Sequence, residues 1–212
     1  EFLLKNGFKE GNFPLLNSKT ILLNLENSNE KLWRNVSKIV RNSVRKAIKQ
    51  NYVVEENKNP SNESIAEFCK LLNQTAKLKG ISSEKLEHLI SKRNLFKENC
   101  FIYLLKDDRG KIIGGNFFLA DQSNVWYLHS ALSKEGRNTF LGYFLLWKSI
   151  EYLKKQNFKI LDLEGVADDR FSMRKSKWQG FTDFKMKFAG ETKTYPRPLE
   201  FNVLKSIELI IK

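Results

Sequence analysis

Residues 100–132 hold three runs with the two-residue period of β-strands, at 100–106, 111–120 and 125–132, separated by polar turns at Asp107-Asp108-Arg109-Gly110 and at 121–124. Strands joined by connections this short return beside one another in antiparallel order, because a parallel neighbour needs a crossover of a dozen residues or more. An antiparallel meander is therefore the first element fixed, and the segments around it must cover its faces. Before it, Leu32, Val36, Ile39, Val40, Val44, Ala47 and Ile48 recur at helical spacing, which predicts one amphipathic helix over 28–50 with Ser28 as its N-cap. A second helix is expected over 62–79, ended by Gly80, and a third near 83–96. After the meander come a long helix at 138–156, a strand at 159–164 ending at Gly165, and a last strand at 180–190. The start of the chain reads as a short helix end, a loop around Gly11 and Pro14, and a strand at 20–25. This order describes an α+β fold with a mixed, mostly antiparallel sheet flanked by helices.

Charge narrows the class of partner. Against 24 acidic residues stand 37 Lys and Arg, a net charge of +13 on 212 residues, which attracts nucleic acid, acidic headgroups or phosphorylated substrates. Part of the lysine excess also fits an A+T-rich coding bias. Cys69 and Cys100 each sit in an apolar run without CxxC spacing, and read as small core residues of a cytosolic protein. His88 and His129 belong to no metal-ligand pattern, so no metal is expected. No apolar run reaches the ~20 residues that span a bilayer. The first residue is Glu1 and not Met, which reads as a fragment.

Two stretches carry positive charge in a pattern. On the helix expected over 28–50, Arg34, Lys38, Arg41, Arg45 and Lys49 follow one another at steps of 4, 3, 4 and 4, with Lys31 and Lys46 beside them. A stripe of one sign gains nothing from i,i+4 pairing and suits an anion as well as it suits water. In the segment from Gly180 to Glu191, strand alternation sends Phe184, Met186 and Phe188 to one face and Lys185 and Lys187 to the other, ~7 Å apart. A polyanion and a solvent-facing edge strand fit those lysines equally.

The residues themselves resemble a family. Thr20-Ile21-Leu22-Leu23-Asn24-Leu25, Glu30-Lys31-Leu32-Trp33 and the run from Arg41 to Lys49 are similar to the TIxLDL, ELW and RxxIRKAxK blocks of the Fem aminoacyl-tRNA-dependent transferases. So are Leu145-Leu146-Trp147, then Leu161-Asp162-Leu163-Glu164-Gly165, then Gly180 with Phe184-Lys185 and Phe188-Ala189-Gly190. The blocks keep the family's order and cover nearly the whole chain. Ala189 and Lys187 depart from it where glycine is usual, and Leu78 stands where many members carry Arg. Members usually pair two GNAT-like domains, so the resemblance implies that 1–26 is the remnant of a preceding domain and 27–212 a complete second one.

The same resemblance implies an activity, transfer of an amino acid from aminoacyl-tRNA to an amine of a peptidoglycan precursor or related cell-envelope acceptor, with no cofactor beyond the charged tRNA. Lys185 is the expected transition-state cation, since charge develops on the ester carbonyl oxygen and on the departing ribose oxygen. Asp162 would orient the amine or take its proton; an acid capping the strand or pairing a lysine fits it equally. Phe184, Lys187, Arg41, Arg45 and Lys46 are the expected RNA contacts, with a core phenylalanine the plainer reading of Phe184. Tyr127, or its neighbour Trp126, and Gly165 are expected at the acceptor. The partners implied are aminoacyl-tRNA and a nucleotide- or lipid-linked precursor. The location implied is the cytoplasm, at the inner face of the membrane where the acceptor is lipid-linked. Two alternatives stay open. One is a CoA-dependent N-acyltransferase, against which Phe140 stands where the pyrophosphate loop needs glycine. The other is a basic RNA-binding or scaffold domain without catalysis.

Overall fold

The computed structural model describes residues 1–14, 16–138 and 140–201. A short α1 (Phe2–Lys5) and β1 (Lys9–Glu10) lead into β2 (Lys19–Asn24), followed by α2 (Asn29–Asn35), α3 (Lys38–Lys49) and β3 (Val53–Lys58). Next come α4 (Asn62–Lys79) and α5 (Leu86–Phe96), then the meander β4 (Cys100–Lys106), β5 (Ile112–Asp121) and β6 (Asn124–Leu132). The chain continues through α6 (Lys134–Asn138), α7 (Leu141–Lys155), β7 (Ile160–Gly165), α8 (Ser172–Met186), β8 (Glu191–Thr194) and β9 (Leu199–Glu200). Helix α4 has the bounds its sequence predicts: Ser61 caps it through a 3.2 Å bond from the Ser64 amide, and Gly80 ends it in the left-handed region at φ 63°.

Seven strands form one sheet in the order β3-β4-β5-β6-β7-β2-β8, while β1 and β9 pair separately. Every described pairing in the large sheet is antiparallel except β6 with β7, the pair joined by the α7 crossover. On one face α3 and α7 bury Val40, Val44, Leu145 and Ile150 against Ile21, Tyr103, Phe118, Leu161 and Leu163. On the other, α4 and α5 bury Ile65, Phe68 and Leu89 against Ile102, Leu104, Phe117 and Leu119, which covers the β4–β6 half. Each of these large side chains contributes roughly 1.5–3 kcal/mol. Among the described residues no helix packs closely on β7, β2 and β8 on that second face, and this half is left open there.

A buried ion pair fixes the rim of this open half. Asp168, 3 % exposed, accepts from Arg170 Nη2 at 2.7 Å and from the Ser18 hydroxyl at 2.7 Å. The same guanidinium donates to the carbonyls of Ser18 and Tyr195, at 3.2 and 2.9 Å. The loop after β7 is thereby tied to the start of β2 and the end of β8. Burial works against the Asp168 carboxylate, but the Arg170 and Ser18 hydrogen bonds outweigh it and hold the carboxyl down at about 2.

Three expectations need correction. The segment expected as a strand at 180–190 is the end of α8, the turn after it, and the approach to β8. Phe181, Phe184, Lys185 and Phe188 lie at i, i+3, i+4 and i+7, and Phe184 stacks on Tyr143 at 4.9 Å, whereas Met186, expected on the buried strand face, is 51 % exposed. The helix expected over 28–50 breaks at Val36, whose backbone is extended, because Arg41 Nη1 donates to the carbonyls of Trp33, Arg34 and Val36 and closes α2. The helix expected over 138–156 starts only at Leu141, as α7, after Phe140 at φ 59°, and the short α6 ahead of it was not expected; Thr139 lies outside the described residues. Strands β3 and β8 escaped prediction. Residues 19–24, from the segment expected to be a preceding domain's remnant, supply β2, paired on both sides inside the sheet. The far end of the second expected domain, 202–212, lies outside the described residues.

Ala189, where the resemblance leads one to expect glycine, has φ 55°. Ala189→Gly should raise stability by about 1 kcal/mol in urea titration, since a Cβ is unfavourable in that region. Asp168→Asn should lower stability at pH 7 by about 2 kcal/mol. A carboxyl depressed on folding adds stability above its unfolded value of ~4 and loses it as pH falls toward 2, so the gap between variant and wild type should shrink across that window.

Candidate functional site

Strands β6 and β7 pair only at Asn124–Ile160, Val125–Leu161 and Trp126–Asp162; beyond Asp162, β7 runs beside β2 alone. At this parting a cavity of about 650 Å³ opens on the uncovered face, lined by Asn17, Thr20, Trp126, Asp162, Glu164 and Tyr195, with Pro14, Leu16, Ser18, Pro196 and Pro198 completing the wall. Alternation along β7 sends Leu161 and Leu163 into the core and Asp162 and Glu164 into the cavity. In a chain of net charge +13 the described residues of the wall include two carboxylates and no lysine or arginine.

Both carboxylates are held. Asp162 Oδ1 accepts from the Thr20 hydroxyl and, at 2.7 Å, from the Glu164 amide. Glu164 Oε2 accepts from Asn17 Nδ2, and the Glu164 carbonyl accepts from Thr20 at 3.0 Å. Glu164 has φ 62°, a left-handed backbone on a residue with a full side chain. Burial and the neighbouring Asp162 charge push its carboxyl up, while Asn17 and Lys185 pull it down.

Lys185 stands behind the end of β7 and outside the cavity lining. Its Nζ donates to the Gly165 carbonyl at 2.8 Å and sits 5.3 Å from the centre of the Phe181 ring, with the residue 8 % exposed. Sequence reasoning turned it to the surface of a strand; the structure buries it on a helix. Burial lowers this ammonium from its usual range to about 8, against the upward pull of Glu164 and Asp162. Gly165 separates the two sides at close quarters: a Cβ there would come within 2.7 Å of the Trp178 ring and collide with Asn17.

Asp162, Gly165 and Lys185 are thus brought together, with Phe184 beside Lys185 on α8 and Lys187 just past the helix end. Lys187 is exposed, and its carbonyl accepts from the Ser37 amide at 2.9 Å, so α8 ends where α3 and its basic stripe begin. Arg45, lying 5.9 Å from the Trp33 ring centre, and Lys46 are exposed on α3. Arg41, partly exposed, uses Nη1 on the carbonyls at the end of α2. Tyr127 is a correction: it is buried and donates to Asn116 Oδ1 at 3.1 Å, so its neighbour Trp126 faces the cavity. Glu164, Thr20, Asn17 and Tyr195 were missed. The i+2 alternation from Asp162 was enough to find Glu164, whereas the others are brought in by β2 and β8.

No protein-family model matches the sequence. No curated protein matches it either. Solved structures do. The chain superposes on FemX with a TM-score of 0.80 at 14 % identity, over 99 % of this chain and 69 % of that one. It superposes on the C-terminal domain of a putative lysylphosphatidylglycerol synthetase from Agrobacterium fabrum with a TM-score of 0.69 at 13 % identity, over 98 % and 66 %. A tandem GNAT protein from the clavulanic acid biosynthesis pathway gives 0.55 at 13 %, over 93 % and 55 %. The fold is therefore the Fem-like variety of the GNAT fold, and the chain spans about two thirds of the first two structures' length. Among the described residues no helix is long and apolar enough to cross a membrane.

The buried ammonium carries a testable cost. A lysine lowered on folding from 10.5 to about 8 destabilises the fold below pH 8, and that cost lifts as pH rises toward 10.5, a change of about 3 kcal/mol. In Lys185→Met the cost is absent but the Gly165 carbonyl loses its donor. Denaturant titrations at pH 7 and pH 10.5 should show wild type gaining about 3 kcal/mol on the variant between them.

Proposed function

We propose that this chain is an aminoacyltransferase that moves an amino acid from aminoacyl-tRNA to an amine of a peptidoglycan precursor or related cell-envelope acceptor. The observation that carries the reading is the acidic, aromatic-walled cavity of a strongly basic protein, next to a buried ammonium at the parting of β6 and β7. An amine enters as an ammonium, and Asp162 and Glu164 with the Trp126 and Tyr195 rings suit that charge. The basic side, with Lys187, Arg45 and Lys46, suits the phosphates of an acceptor stem. The residue blocks shared with the Fem family and the fold shared with FemX support the same reading. Phe140, 61 % exposed at the start of α7 where a CoA pyrophosphate would need close backbone approach, counts against CoA as donor.

In this mechanism the donor ester lies on the α3–α8 side with its carbonyl toward Lys185, and the acceptor amine reaches it from the cavity. The amine attacks the carbonyl carbon, a tetrahedral oxyanion forms, and the bond to the tRNA ribose oxygen breaks. The Lys185 ammonium stabilises the oxyanion and the departing oxygen, a contribution of ~3 kcal/mol. Asp162, anchored by Thr20, orients the incoming nitrogen. The acceptor is nucleotide- or lipid-linked, and the reaction belongs at the cytoplasmic face of the membrane.

Incubation with tRNA charged with radiolabelled amino acids and with amine-bearing peptidoglycan precursors should move label to the precursor, and acetyl-CoA should donate nothing. Lys185→Ala should cut the transfer rate by roughly a hundredfold or more at unchanged circular dichroism. Wild-type transfer should fall as pH rises through about 8, where the ammonium is lost. Label transfer from acetyl-CoA, or full activity in Lys185→Ala, overturns this assignment.

A further inference from the structure

Resting on the reading above, we infer that Glu164 is the base that deprotonates the acceptor, with Asp162 as its positioning partner. The two carboxylates share a strand face but are held to different ends. Asp162 Oδ1 is taken by the Thr20 hydroxyl and by the Glu164 amide, which fixes the Glu164 backbone, while Asp162 Oδ2, like Glu164 Oε1, accepts no hydrogen bond among the described residues. Glu164 is fastened at its amide by Asp162, at its carbonyl by Thr20 and at Oε2 by Asn17, and among the described residues Oε1 accepts no hydrogen bond. That oxygen belongs to a side chain on the cavity wall, in front of Gly165, whose carbonyl holds Lys185.

The backbone supports the assignment independently. Glu164 sits at φ 62°, where a non-glycine residue costs on the order of 1–2 kcal/mol and persists only when its surroundings over-determine it. A glycine would remove the strain but also the carboxylate. The three fastenings, two on the backbone and one on the side chain, hold in place a conformation that the residue type disfavours, next to the Gly165 carbonyl that anchors Lys185. Burial beside Asp162 also raises the proton affinity of this carboxyl, as a base for an ammonium requires.

The step balances as follows. Glu164 Oε1 takes one proton from the acceptor ammonium, leaving a neutral amine. Its lone pair forms the C–N bond to the ester carbonyl carbon. As the tetrahedral adduct collapses, the C–O bond to the ribose breaks, a second proton passes from nitrogen to the departing oxygen, and Glu164 returns its proton to solvent. An amide, a free ribose hydroxyl and one proton are the products.

Glu164→Gln keeps the shape and the Asn17 contact but cannot accept the proton. With an alkylamine acceptor it should lose roughly a hundredfold or more in kcat at little change in KM, and it should lose the acid limb of the wild-type pH profile. With an aminooxy acceptor of the same length, already neutral at pH 7, the variant should recover to within a few-fold of wild type, which a merely misfolded site would not do. Asp162→Asn should keep the acid limb. Glu164→Gln active on both acceptors, or inactive on both while Asp162→Asn loses the acid limb, overturns the assignment to Glu164 and leaves the transferase reading intact. A wild type that transfers to neither amine overturns both.

Discussion

The parting of β6 from β7 is the constraint on which the site depends. A parallel pair bridged by a helix is held together only as far as its hydrogen bonds run, and here they stop after three residue pairs. Beyond Asp162 the last turn of β7 has β2 on one flank and an opening on the other. Right-handed strand twist makes such an opening easy to form, and the α7 crossover keeps it from closing because α7 is anchored deep in the core by Phe144, Leu145 and Ile150. The carboxylates and the lysine are useful because they stand at this gap, one set on each side of a single glycine.

Charge is distributed against the average of the molecule. A chain with a large positive excess would be expected to spread it evenly for solubility, yet the cavity wall is acidic and the positive side chains lie on α3 and at the end of α8. Lys185, the one buried cation among the described residues, gives up solvation for a carbonyl and two nearby carboxylates. Desolvation of that kind lowers stability, and it is the ordinary cost of holding a charge where water would weaken its field.

Much of this was legible in the sequence where one period dominated. The meander and α4 are long, regular and bounded by turn residues, so their signals are unambiguous. The segment before Gly190 was not, because Phe184, Met186 and Phe188 satisfy a strand while Phe181, Phe184, Lys185 and Phe188 satisfy a helix, and only packing against Tyr143 chooses. The break at Val36 was invisible for a similar reason: the apolar positions continue through it, and the Arg41 side chain, from the next helix, ends the first one. Asp162 and Gly165 could be read from their motif and Glu164 from alternation. Asn17, Thr20 and Tyr195 could not, since their place depends on which strands become neighbours across the whole length of the chain.

The position of β2 has a consequence for how the molecule is made. The third element of the chain lies between the seventh and eighth strands of the sequence, so its partners are synthesised some 140 and some 170 residues after it. Contacts of such separation form slowly, because loop closure must precede any gain from pairing. The half of the sheet built by α4, α5 and the meander can assemble from local contacts while the chain is still emerging, whereas Thr20 meets Asp162 only once β7 exists. Until its neighbours are made β2 has no partner on either side, and the pocket forms only after β7 and the segment around Tyr195 exist.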